Sequence, residues 1–514
     1  MQFRLPLLIS NNNQSKVVFL WCKNLKKACL IGIVGLLFLS SSPIFAQSIE
    51  WSNSRKINGS ALFTRVLGEN ANGVYVLRYR NRFFTRNIII EKYRNHLGFN
   101  FSRNILLKKS RLIAVDLTKE SLLFFTSDYN KNERRNELKA QFYDQNVLPK
   151  TKEKVIAFSV PIESYDKGDF RVQSSSDLSK YLVVYSNKST SNKRTVHLKI
   201  LDDQMSTIAE KNFELPLNYE EYNLNDFVID NSGNVFLLIK EKHKVGKRNF
   251  DDLAFYRLFI WQKASNTLKD ILLSDSGIYI QSLKLSVDRK YQTVNVTGFF
   301  SNMHPDRFSG LYLCKVNADS LEAAKQYYSP VPVDMMSKLI GERQANDNAE
   351  AFDFKQLKSI PLSNGAVALV AERSSMSLEE DIVYVNGVPQ NTSRNIYNFD
   401  DVFIACLDSV GRLSWHQVIN KNQSSLNDGG YYSSIIIGVT NDNIHLIFND
   451  KMRGNGNVLQ YSLSADGKMG NKILLKSERE YIAVIPSESL QISSNKLIIP
   501  VSKDKKFALL KLVY

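Results

Sequence analysis

The sequence predicts an all-β fold, and three observations carry that expectation. Short runs of Val, Ile, Leu, Phe and Tyr alternate with polar residues and stop at clusters of Asp, Asn, Ser, Gly or Lys. The 3.6-residue period of an amphipathic helix is almost absent. A run–turn–run unit recurs eight times, about 50 to 75 residues apart.

The eight turns come in order. They are Asn70-Ala71-Asn72-Gly73, Thr118-Lys119-Glu120-Ser121, Ser176-Asp177-Leu178-Ser179-Lys180, Asp230-Asn231-Ser232-Gly233-Asn234 and Ser286-Val287-Asp288-Arg289-Lys290, then Ser363-Asn364-Gly365, Thr440-Asn441-Asp442-Asn443 and Ser493-Ser494-Asn495-Lys496. Each reads as a hairpin turn. Second hairpins lie between them, with turns at Asp408-Ser409-Val410-Gly411 and Ala465-Asp466-Gly467. Four short antiparallel strands per unit cannot form a core alone, and radial stacking buries both faces of each sheet. The expected architecture is therefore a β-propeller of about eight four-stranded blades, or seven if the second unit is misassigned. After the last turn only one more strand follows, Phe507–Val513, whereas the segment Ile49–Ile57 stands alone at the other end. That segment resembles the strand Leu413–Ile419, with Trp51 matching Trp415, so the N-terminal strand should complete the C-terminal blade and close the ring.

Residues 1–46 read differently. Lys23, Lys26 and Lys27 precede an apolar run from Ala28 to Leu39, then Ser40, Ser41, Ser42, Pro43 and the small Ala46. This is the pattern of a secretory signal peptide, and the run is short for a spanning helix. The expected organisation is a signal peptide, 1–46, and one propeller domain, 47–514, in the periplasm or outside a Gram-negative cell. Membrane contact is expected only if the leader stays uncleaved as an anchor.

The 514-residue chain is 43% hydrophobic and 23% charged, which excludes disordered and polytopic membrane classes. Its 67 Lys and Arg outnumber 51 Asp and Glu, for a net +16. The leader carries five of these cations and no acid, leaving +16 − 5 = +11, scattered over the rest. A scattered excess on an exported protein implies a solvated basic surface, not a nucleic-acid partner. Cys22 and Cys29 leave with the leader, and Cys314 and Cys406 lie inside apolar runs, as buried free thiols do.

No WD, kelch or sialidase-type repeat signature appears, and no Gly-x-Ser-x-Gly elbow or phosphate loop. The six histidines lack zinc spacing, and the Asp- and Asn-rich turns are explained by backbone geometry, so neither metal nor cofactor is expected. The most distinctive stretch holds Trp415, Ile419, Lys421-x-Gln423 and Asn427-Asp428-Gly429-Gly430-Tyr431-Tyr432, followed by Phe448-Asn449-Asp450. In this order the residues resemble an uncharacterised group of secreted propeller-like proteins of Bacteroidota, chiefly over residues 350–460. The resemblance implies the fold and compartment and lends no activity.

Loop length points to one face. In an up-and-down blade the second-to-third strand loop and the blade-to-blade connection open on the same side. The long insertions are 241–252, 301–309, 329–353, 372–400, 420–430 and 449–456, all in blades four to seven. Long loops on a rigid scaffold carry binding groups. The candidates are Glu372, Arg373, Lys421, Gln423, Asp428, Asn449 and Asp450, with Lys421, Gln423 and Asp450 in mutual contact; the opposing reading has the set capping one another and pinning the loops. The expected function is partner binding, protein or glycan, by a monomer. Alternatives are a carbohydrate-active lyase or hydrolase with carboxylates in the central funnel, and a scaffold subunit of an envelope assembly.

Overall fold

A computed structural model describes residues 47–514 except 57–62, 80–86, 161–168, 189–193, 216–221, 245–251, 274–276, 318–319, 321–324, 387, 453–455, 478–480 and 505. The leader therefore lies outside the described residues, as does Ile57. Among the described residues eight antiparallel sheets of four to six strands follow one another, the first seven with their successive strands adjacent, and a two-stranded ladder joins Arg307–Phe308 to Ala351–Phe352. Blades 1 to 7 span 63–106, 111–159, 171–214, 222–272, 279–330, 354–419 and 436–475. Blade 8 spans 482–513 and takes its outermost strand from the N-terminus. The fold is a β-propeller.

The two middle strands of each blade are apolar on both faces, because a neighbouring blade covers each face. Gly73–Tyr79 and Thr293–Ser301 are buried almost throughout. Outer strands such as Phe99–Leu106 and Thr207–Glu214 alternate between covered and exposed residues. Clusters of buried side chains fill the spaces between blades: Phe125 and Leu138 with Tyr181 and Val183, then Leu198 and Ile200 with Leu237 and Phe259. The first strands are also stitched to one another. Arg171 donates to Leu224 O at 2.7 Å, Asn225 to Leu283 O at 2.8 Å, and Gln491 to Val439 O at 2.6 Å.

The ends meet as the sequence implies. Ser48–Trp51 and Arg55–Lys56 both pair with the last strand, Lys506–Val513, so the orphan segment forms two short strands rather than one. Val66, Val74 and Tyr93 of blade 1 pack on Ile498, Phe507 and Leu509 of blade 8. Arg55 carries the seam further, reaching Glu91 at 3.2 Å and lying over the Phe99 ring.

The third-to-fourth strand turns of blades 2, 3 and 6 share one geometry. Asp144, Asp202 and Asp408 each accept two backbone N–H groups, two and four residues on, and the residue three positions on has a left-handed backbone. Glycine fills that position at Gly411, while Val147 and Met205 fill it elsewhere with φ of 60°. Both are buried in interblade clusters, and that burial offsets the strain of a left-handed side-chain-bearing residue. The Asp oxygens serve their own turns.

Two insertions depart from the loops expected. Within 329–353 lie two short helices, α1 (Val333–Ile340) and α2 (Glu342–Asn346). Met335, Met336 and Leu339 of α1 are buried against Phe403 and Leu311, and this tertiary contact stabilises a helix too short to persist alone. The insertion 372–400 is a ribbon, since Val367–Val385 and Val388–Leu407 pair out to Val385 opposite Val388, interrupted by one register shift between Glu372 and Ser374.

Candidate functional site

Strand order places the second-to-third loops and the blade connections on one side of the ring. There the strand end Glu372–Arg373, the connection 420–434 and the strand end Asn449 converge. Lys421 is the hub. Its Nζ lies 2.9 Å from Glu372 Oε1 and donates to Phe399 O at 2.6 Å and Gln423 Oε1 at 2.9 Å. Ser434 adds a 2.6 Å bond to Glu372 Oε2, and its N–H donates to Gln423 Oε1 at 2.8 Å. Gln423 Nε2 donates to Asn449 O, and Asn449 Nδ2 to Tyr432 O and Val484 O, which carries the chain of bonds into blade 8.

Both side chains of the Glu372–Lys421 pair are only 1% exposed. Burial pushes the Glu372 carboxyl up and the Lys421 amine down from their ordinary values, while each partner's charge opposes the shift. These residues, with buried Gln423 and Asn449, tie three loops together. Their side chains cap one another.

The remaining candidates divide. Asp428 accepts Ser425 Oγ at 2.6 Å and Gly430 N at 2.8 Å, shaping a turn in which Gly430 lies against the Phe399 ring. With φ of 70° and a ring where a Cβ would project, this position requires glycine. The turn sends Tyr431 toward blade 1, where its hydroxyl accepts Thr64 N at 3.2 Å and its ring meets Phe63 edge-on. Arg373 donates to Leu339 O at the end of α1, sits 3.8 Å from Asp401 and covers the Phe354 ring. Asp450 is not joined to Lys421 or Gln423, contrary to the expected cluster. It lines an adjoining groove with Ile396, Asn422, Ser424, Leu426 and Met452.

The structure adds four residues that spacing did not single out. Asp400, Asp401, Asn420 and Asn422 join Arg373 and Lys421 in lining an open cleft of about 380 Å³. Burial raises the Asp400 carboxyl, Lys421 opposes that shift, and the charge of Asp401 adds to it. The sequence clue was the consecutive Asp400-Asp401 at the end of an insertion, opposite Asn420-Lys421-Asn422 in the next connection.

Comparison with known proteins adds likenesses of form. The chain is similar to the β-propeller domain of the Trilobed protease from Pyrococcus furiosus, at 11% identity and TM-score 0.34, covering 84% of this chain and 96% of that one. It is similar to the WD40 domain of SCAP from fission yeast at 9% identity and TM-score 0.39, over 91% and 98% of the two chains. A member of the DUF4221 family from Bacteroides vulgatus matches at 10% identity and TM-score 0.28, over 83% and 99%. No protein-family model matches the sequence. No curated protein matches it either. The fold rests on the sheets and their order.

Proposed function

We propose that this chain is an exported β-propeller that binds a protein or glycan partner, without chemical change, through the cleft of Arg373, Asp400, Asp401, Asn420 and Asn422. One observation carries the reading. Carboxylates, a guanidinium and two amides line an open cleft whose floor is held by the buried Glu372–Lys421–Gln423 network. Polar groups fixed in advance can bond hydroxyl or peptide groups at little ordering cost. The leader-like segment 1–46 supports export, and the motif shared with Bacteroidota proteins supports a Gram-negative envelope, periplasmic or outer.

The mature protein, starting near Gln47, is to be screened on an array of envelope and plant glycans and photo-crosslinked in cells from position 422. Asp400→Asn combined with Asn422→Ala should weaken capture about tenfold or more with unchanged melting. Undiminished capture by the variant would remove the cleft from the binding surface. N-terminal sequencing of the periplasmic fraction tests export, and an intact leader in membranes would make it an anchor.

A second reading, a carbohydrate-active lyase or hydrolase, has one specific observation in its favour. Asp400 and Asp401 are neighbours in unequal settings, the first pushed up by burial and the second beside Arg373. Two carboxyls in different settings are what glycosidic cleavage uses. New reducing ends from a polysaccharide, lost in Asp400→Asn, would favour this reading over simple binding.

A further inference from the structure

The hairpin beyond the blade 6 sheet, residues 374–399, projects for twelve residue pairs, roughly 40 Å at strand rise. Met376, Leu378 and Ile382 share one face at period two and are 64%, 57% and 57% exposed. Glu379, Glu380 and Asp381 between them are exposed as well, and the one cation nearby, Arg394, is paired with Asp381 at 2.9 Å. Among the described residues no strand pairs with the outer edge of 374–385. Such an edge is a template for another strand.

Among the described residues a second unpaired edge has the opposite charge. Lys154–Ser159 is the outermost strand of blade 2. Val155, Phe158 and Val160 are 43%, 52% and 62% exposed, and Leu148 stands near them at 45%. Lys150, Lys152 and Lys154 are exposed along this edge with one acid, Glu153, which lies 3.9 Å from Lys139. Arg135 covers the Phe158 ring.

We propose that copies of this chain associate head to tail, the acidic hairpin of one adding its free edge to the basic outer strand of blade 2 in the next. The inference is independent of what the cleft binds, and it replaces the monomer expected from sequence. Hairpin against hairpin would set acid against acid, and blade 2 against blade 2 lysine against lysine. The lysines, and the bulge between Val155 and Ala157, keep two like edges apart yet admit an acidic strand. Blades 2 and 6 stand four places apart in a ring of eight, so a hairpin faces away from its own receiving edge. The contact thus joins different surfaces of different copies, which gives rings or open chains rather than two-fold dimers.

Sedimentation velocity of residues 47–514 tests this. Weight-average mass should rise with concentration, and raising salt from 50 to 300 mM should weaken association about tenfold, because the contact is charge-dependent. Reversing the hairpin (E379K, E380K and D381K) or the edge (K150E, K152E and K154E) should each leave monomers with unchanged melting. Mixing the two reversed proteins should restore oligomers, since each then offers what the other lacks. A monomer at every concentration would overturn the proposal, as would association that survives both reversals or a mixture that stays monomeric.

Discussion

Ser52 and Leu509, 457 positions apart, exchange two hydrogen bonds: Ser52 N–H donates to Leu509 O at 2.9 Å, and Leu509 N–H donates to Ser52 Oγ at 2.8 Å. The N-terminal strand segment is thereby fastened to the last strand, and ring closure depends on a contact between residues very far apart in sequence.

Ser52 is buried, so Ser52→Ala would leave the Leu509 N–H without its acceptor. The expected loss is about 1–3 kcal/mol. Deleting residues 47–56 should cost more, roughly 3–5 kcal/mol, because the Arg55–Glu91 pair and the fourth strand of blade 8 go with it. Denaturant melts of the three proteins check this, and a deletion that melts with the parent would refute closure by the N-terminal strand.

Lys421→Met removes the cation facing a carboxyl that burial has already raised. The variant should lose about 3–5 kcal/mol near neutral pH. A carboxyl with a raised folded-state pKa favours folding fully below its unfolded value and loses that contribution as pH rises. The deficit should therefore shrink as pH falls toward 4.5. The double change Lys421→Met with Glu372→Leu should recover much of the loss, and an additive double variant would argue against a coupled pair.

His445 is buried between Thr440 Oγ1 at 2.7 Å and Ser462 Oγ at 2.9 Å, with Gln460 beside it. Burial, with a smaller push from Lys472, lowers its pKa from 6.5 to about 4. A depressed folded-state value means stability that is complete above 6.5 and lost as pH falls toward 4. The loss should approach about 3 kcal/mol at the lower end. His445→Gln should flatten that part of the stability curve, and an unchanged acid slope would assign it to other groups.

Cys314 and Cys406 are buried thiols outside any disulfide, and burial raises both to about 12. The mature protein should show no thiol reactive to Ellman's reagent when native and two in guanidinium. Rapid reaction in the native state would place a thiol at the surface.

The sequence by itself determined the repeat. Every one of the eight hairpin turns read from Asp, Asn, Ser, Gly and Lys joins the first two strands of a blade, because such turns are fixed by local backbone preference. The free edge of Lys506–Val513 and the unpaired Ile49–Ile57 likewise needed only a count of strands. Tertiary structure decided the rest. Lys421 and Glu372 read as loop residues that either bind a partner or cap one another, and only the meeting of two insertions far apart in sequence buries them as a pair. Val147 and Met205 give no turn signal, since packing between blades is what holds them left-handed. The ribbon 374–399 mixes polar and apolar residues without strict alternation, because neither of its faces enters the core and so no pattern is imposed on it.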